Sequence, residues 1–225
     1  MKTTRLFSMV SIAVILFTAC SKEDDNNTTP VIDTRAFSVT TNGAIVGVSN
    51  LQADTIIGVS PIGQPYGSGR YSFFSLENKI KVANIDSASS KWDIGFRGTS
   101  IIINGGTSGP AIGGAFVYNG TFDDLKEIPA DSVFRVDAAP GAFAIPTGSN
   151  RGWYSYNGLT VLITPLPGKV LVIKTASGKY AKLEILNYYR GGITPSATAT
   201  DSIKSVDQRF YSFRYTYQPN GTKKF

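Results

Sequence analysis

The sequence predicts an all-β domain, antiparallel and sandwich- or barrel-like, behind a signal peptide and a short tether. Three observations carry this expectation. From Phe210 to Tyr217, Tyr211, Phe213, Tyr215 and Tyr217 fall on one face and Ser212, Arg214 and Thr216 on the other, the two-residue period of a half-buried strand. Lys169–Lys174 and Lys179–Tyr188 flank Ala-Ser-Gly and read as a hairpin, with Ala181, Leu183 and Ile185 inward and Lys182 and Glu184 outward. No amphipathic helix of convincing length interrupts a chain that carries 23 glycines and 11 prolines.

The elements follow in order. Residues 1–19 have the plan of a signal peptide: Lys2 and Arg5, then an apolar run from Leu6 to Phe17, then small residues. Cys20 directly after Thr18-Ala19 resembles a bacterial lipobox, in which the cysteine is acylated and becomes the first residue of the mature chain. The alternative is an ordinary signal peptide that leaves a free thiol. Residues 20–35 form a tether whose charged stretch, Lys22 to Asp25, cannot bury itself. The same stretch resembles the acidic export signal of Bacteroidetes surface lipoproteins. Membrane attachment through lipid on Cys20, and exposure on the outer membrane surface, are the expectations that follow.

Residues 36–225 are expected to form one domain. Val31–Gly69 is rich in Thr, Gly and Ser and suggests an edge hairpin. Strands are expected at Ala44–Val48, Thr55–Val59, Tyr71–Leu76, Trp92–Phe96, Ser100–Ile103, Ala115–Tyr118, Val133–Val136 and Leu159–Thr164. Asp86–Lys91 and Asp123–Glu127 read as short helical turns or loops.

Composition excludes several chemistries. The chain has no histidine, and its two methionines, Met1 and Met9, lie in the leader with its one cysteine close behind. No Ser-His-Asp or Cys-His site and no imidazole-ligated metal can form. Without the leader's Lys2 and Arg5, 20 basic residues face 16 acidic ones, a net charge of +4. No basic run marks a nucleic-acid surface. The glycine-rich Asn104–Gly114 lacks the Lys-Ser/Thr of a P-loop and reads as a tight connection. Asp123, Asp124 and Glu127 have no facing carboxylate in sight and read as a solvated loop. An enzyme is not expected.

The segment YSFFSLENKIKVANIDSASSKWDIGFR, residues 71–97, resembles the HmuY family of haem-binding lipoproteins. The likeness rests on the aromatic strand, on Trp92, Asp93, Ile94 and Arg97, on Gly113, Gly114, Ala115 and Val117, and on the C-terminal hairpin and aromatic strand. It implies an HmuY-like β-sandwich, a lipid anchor, and capture of haem for transfer to an outer-membrane receptor. It also implies axial His or Met ligands from mid-chain loops, and this sequence has neither there. The family's second ligand would fall near Asn157. Beside it stand Trp153, Tyr154 and Tyr156, the aromatic candidates for a ligand cleft. Tyrosinate ligates haem iron in some proteins. A free tyrosine titrates near pH 10, so Tyr154 or Tyr156 would need a guanidinium or base beside it, and Arg151 is the nearest in sequence. Two other readings stay open: the same scaffold binding a non-haem small molecule, or a structural surface protein. Asp54-Thr55-Ile56, Asp86-Ser87-Ala88, Asp131-Ser132-Val133 and Asp201-Ser202-Ile203 resemble an O-glycosylation triplet of exported Bacteroidetes proteins.

Overall fold

The computed structural model describes residues 35–225 except 55, 63, 64 and 140. The leader, Cys20 and nearly all of the tether lie outside the described residues, as does Thr55 of the first glycosylation triplet. Residues 34–225 make one compact unit.

The strands are β1 (Ser38–Asn42), β2 (Ile45–Gln52), β3 (Ile56–Val59), β4 (Pro65–Gly67), β5 (Ser72–Ser75), β6 (Ile80–Val82), β7 (Ile94–Arg97), β8 (Ser100–Ile103), β9 (Gly114–Asn119), β10 (Tyr154–Asn157), β11 (Leu162–Pro165), β12 (Lys169–Lys174), β13 (Tyr180–Tyr189) and β14 (Gln208–Gln218). One helix, α1 (Asp201–Asp207), leads into β14, with Thr200 capping its start. A six-stranded sheet runs β1-β2-β14-β13-β12-β9, and a four-stranded sheet runs β6-β5-β7-β8. All the pairings are antiparallel. Two small ribbons, β3-β4 and β10-β11, stand apart from them.

The two sheets pack face to face around one core. Tyr211, Phe213 and Tyr215 of β14 point into it, as their spacing predicts. Phe213 meets Phe74 edge-on at 5.7 Å between ring centres and stacks on Phe96 at 5.5 Å. The phenols need partners once buried. Tyr211 donates to the Gly98 carbonyl at 2.9 Å and Tyr215 to that of Leu76 at 2.8 Å, both on the opposite sheet's connections.

The outer face of the six-stranded sheet departs from the expected alternation. Segment 121–128 and the C-terminal Phe225 lie across it and build a second core with Val170 and Val172. Thr216, expected on a solvated face, is therefore buried, and Ser212 of the same face is buried near Gly192. Lys182, expected to point outward into water, is buried as well. It donates to the carbonyls of Phe122 at 2.8 Å and Leu125 at 2.7 Å, between the rings of Phe122 and Phe225. Burial lowers its pKa.

Three further expectations need correction. Val133–Val136 is not a strand: Arg135 alone bridges to Ala115, and Val133 and Val136 face solvent, because the segment lies outside the edge strand β9. The strand expected from Leu159 begins at Leu162, since residues 158–161 make the β10–β11 turn. Val31–Gly69 contains two hairpins rather than one. β1 is an edge strand, but β2 lies inside the sheet against β14. Asp86–Lys91 is, as expected, a short turn: a 3-10 turn over Asn84–Asp86 runs into turn residues.

Two buried aspartates stitch loops to this frame. Asp93 accepts from the Leu76 N–H at 2.8 Å and the Ala176 N–H at 2.9 Å. Asp137 accepts from the Ile103 N–H at 2.8 Å and the Ala144 N–H at 2.7 Å. An asparagine in either place would turn its NH2 toward one of those donors. Asp137→Asn is therefore expected to cost about 1–3 kcal/mol at pH 7, read from the denaturant midpoint. Burial pushes both carboxyls above their ordinary value of 3.8, against the pull of the N–H bonds. The folded state then holds those protons more tightly than the unfolded one. That contribution is complete below 3.8 and is lost as pH rises through the folded value. The gap between wild type and Asp137→Asn should accordingly widen on acidification from pH 7. A gap that narrows would contradict the burial account.

Candidate functional site

Downstream of Asp137 the chain turns back on itself: Ala138 and Ala142 exchange backbone hydrogen bonds across the turn. Asp137 holds Ala144 to β8, and Ala144 and Ile145 enter the core. Residues 146–152 then fold over β10. The Asn150 N–H donates to the Tyr154 carbonyl at 2.8 Å, and the Tyr156 N–H to Ser149 Oγ at 2.8 Å. Gly152 is required here, because a Cβ would stand 2.2 Å from the Pro146 carbonyl oxygen.

This path leaves an open groove between the 133–137 segment and the 141–151 loop. One part, of about 330 Å3, is walled by Val136, Phe143 and Pro146, with Arg135 and Arg151 at its margins. A second part, of about 270 Å3, shares Arg135 and Pro146 and continues over Phe116, Val117 and Ala144. The first lies at the small end of the range for ligand sites and the second just below it. Both guanidiniums belong to exposed residues, and among the described residues neither forms an ion pair. An apolar floor between two available guanidiniums suits a flat apolar molecule that carries carboxylates.

The residues predicted from sequence are not gathered in that groove. Arg151 lines it. Trp153 is buried in the core at 2% exposure, where its indole N–H donates to the Thr99 carbonyl at 3.0 Å and its ring packs on Tyr188 and Tyr211. In this conformation it is not free to stack on a ligand. Tyr154 is also buried, against Trp153 at 4.9 Å. Tyr156 is the exposed phenol of the set, at 46%, on β10 facing Ile163 of β11. Around Trp153 and Tyr154 lie further phenols, among them Tyr188 and Tyr189, which close their strand as aromatic candidates in the sequence but are buried in the core. Burial raises Tyr188 and Tyr211, although Arg209 hydrogen-bonds Tyr188 and pulls it down. Both stay protonated near neutral pH. Arg135 and Phe143 were missed, since a lone Arg in a Val-Phe-Arg-Val run gives no signal.

The motif Trp92-Asp93-Ile94 serves structure. The Trp92 indole donates to the Ser87 carbonyl at 2.8 Å, and Asp93 makes the clamp described above. Asn104, buried at the start of the glycine-rich loop, donates to the Ser89 and Trp92 carbonyls and accepts from the Ala111 N–H. That network ties the loop down as a tight connection. Arg97 lies over the Tyr71 ring, 4.5 Å from its centre. Asp123 pairs with Arg214 at 3.2 Å and Asp124 accepts from Thr121, so neither faces a second carboxylate across a cleft. Of the glycosylation triplets, Ser202 is exposed and Ser87 and Ser132 are partly so. These placements separate two kinds of residue by stability. Trp153→Phe should cost about 1–3 kcal/mol through the orphaned Thr99 carbonyl and lost packing, and Arg151→Ala less than about 0.5. Equal losses in chemical denaturation would contradict the division.

The profile of the HmuY protein family matches residues 69–199. None of the curated proteins matches the chain. Among solved structures, a predicted lipoprotein of Bacteroides fragilis is 13% identical, with a TM-score of 0.49, covering 81% of this chain and 96% of its own. A predicted HmuY-like haem-binding protein of Bacteroides vulgatus is 16% identical, with a TM-score of 0.42, covering 66% and 85%. An apo HmuY analogue of Tannerella forsythia is 14% identical, with a TM-score of 0.43, covering 83% and 99%. With more than half of its length matched by the family profile, and with an antiparallel two-sheet fold, this chain belongs to the HmuY family.

Proposed function

We propose that this protein is a surface lipoprotein that captures haem, or a closely related tetrapyrrole, in the groove between Arg135 and Arg151. Membership of the family supports the ligand class. The observation that carries the reading is that Arg135 and Arg151, neither in an ion pair among the described residues, line one groove together with Val136, Phe143 and Pro146. A porphyrin presents that chemistry: a flat apolar ring with two carboxylates at one edge. Bidentate guanidinium–carboxylate bonds fix such an edge, and Phe143, Val136 and Pro146 cover part of the ring.

Iron ligation is the weaker part of the grip. Residues 35–225 contain neither histidine nor methionine. Tyr156 is the exposed phenol, tied through its N–H to Ser149 in the loop that carries Arg151. Of the two phenols singled out in the sequence it is the one an iron outside the core could meet, Tyr154 being buried. The lack of imidazole and thioether also favours a second reading, in which the groove takes a flat apolar carboxylate without metal. In either case Cys20 carries the lipid that attaches the protein to the outer membrane, and a membrane receptor takes the ligand onward.

The test is a parallel titration with haemin and with iron-free protoporphyrin IX, followed by absorbance. Saturable binding of both is expected, weakened about tenfold by Arg135→Ala or Arg151→Ala, or ~1.4 kcal/mol. Tyr156→Phe should alter the haemin spectrum alone. Binding of the iron-free ring with no haemin-specific change would favour the second reading. No saturable shift with either would overturn both.

A further inference from the structure

The β3–β4 ribbon, Ile56–Val59 with Pro65–Gly67, is one of the two ribbons that neither large sheet incorporates. Ile57 and Val59 are exposed on one face, and Ile62 at the turn is 84% exposed. The Tyr66 ring lies across Gly58 and is half exposed itself. A ribbon of this kind is marginal in water, and exposed apolar side chains grouped at one place mark an interaction surface. Its base, by contrast, is fixed. Asp54 accepts from the Ser68 hydroxyl and the Gly69 N–H and faces Arg209 at 3.8 Å. Asp54 and Arg209 both hold a positive φ of 72°, a conformation costly for side chains other than glycine.

The position of this ribbon identifies what covers it. The tether enters the domain at the same end. Asn50 donates to the Ala36 carbonyl and accepts from the Gly191 N–H, and the Ala53 N–H donates to the Arg209 carbonyl. Five of the eight arginines between residues 35 and 225 belong to this end: Arg35, Arg70, Arg97, Arg190 and Arg209. Their acidic neighbours are Asp54 and Asp207. Only 14 residues separate Cys20 from Arg35, a reach of about 50 Å at full extension. Exposed apolar side chains with an excess of basic residues at the same end match acyl chains below a layer of phosphates.

We infer that the β3–β4 ribbon and the arginines around its base form a lipid-contact surface, which seats this end of the domain on the membrane to which Cys20 is attached. The inference adds to the proposed lipid anchor and rests on it for the nearness of the bilayer. Ile112 lies toward the opposite end of the sheets, beside Gly178 of the β12–β13 turn, about 30 Å away along the ten residues of β13.

The experiment uses the mature chain from Cys20, with acylation read by mass spectrometry. A single added cysteine, Ile62→Cys on the ribbon or Ile112→Cys at the far end, carries an environment-sensitive fluorophore. Vesicles of phosphatidylethanolamine and phosphatidylglycerol hold brominated acyl chains. Blue-shifted emission and at least about twofold stronger quenching at 62 than at 112 are expected. Ile57→Asp with Val59→Asp should abolish the difference without moving the thermal midpoint. Equal, weak quenching at both positions on acylated chain overturns the inference while the anchor stands. If the chain is not acylated, the anchor reading fails. The same reporters on unmodified chain mixed with vesicles, with Cys20→Ser so that each fluorophore has one site, then decide the contact: quenching confined to position 62 supports it, and none overturns it.

Discussion

The inner face of β14 is the constraint on which the rest of this structure depends. Phe74 and Phe96 of the smaller sheet meet Phe213 there, and the phenols of Tyr211 and Tyr215 cross to carbonyls on the other side. Aromatic rings supply the apolar area, and the two hydroxyls make the match specific, because a slip of one residue would turn every ring to the wrong face. A core filled this way leaves no room between the sheets for a ligand. The groove lies instead at the margin, where loops leave the sandwich.

Asp137 decides what that margin looks like. Its two oxygens satisfy backbone donors of β8 and of the returning loop, and the groove is the gap left between the segment that enters Asp137 and the loop that leaves it. Asp93 does the same for the β5–β6 and β12–β13 connections. Loops placed by buried carboxylates can carry different side chains without disturbing the frame. That arrangement is compatible with the frame of the HmuY family in a chain whose mid-chain loops contain no histidine or methionine.

Much of the frame was legible in the sequence. The alternation of β14 and the β12–β13 hairpin follow from period and turn residues alone, because side-chain direction in a strand is local. What was not legible is long-range. Lys182 reads as a solvent-facing residue until segment 121–128 and Phe225 cover it, and Val133–Val136 reads as a strand until its only neighbour proves to be an edge. The residues singled out from the sequence are divided by the structure between the candidate groove and the core. Arg151 borders the groove, whereas Trp153 and Tyr154 were drawn into the core by the packing their aromatic character equally allows. Arg135, 16 positions before Arg151, comes near it only because the chain turns back after Asp137, and nothing local announces that turn's return path.

The account's central claim is that ligand sits against the 133–151 margin and not between the sheets or elsewhere. Amide chemical-shift mapping of isotope-labelled protein with protoporphyrin IX tests it most directly. The account predicts perturbations centred on Arg135, Phe143, Thr147 and Arg151, with β14 nearly unchanged. Perturbations centred instead on the separate hollow between Ser72 and Asn84, or spread through the core strands, would contradict it.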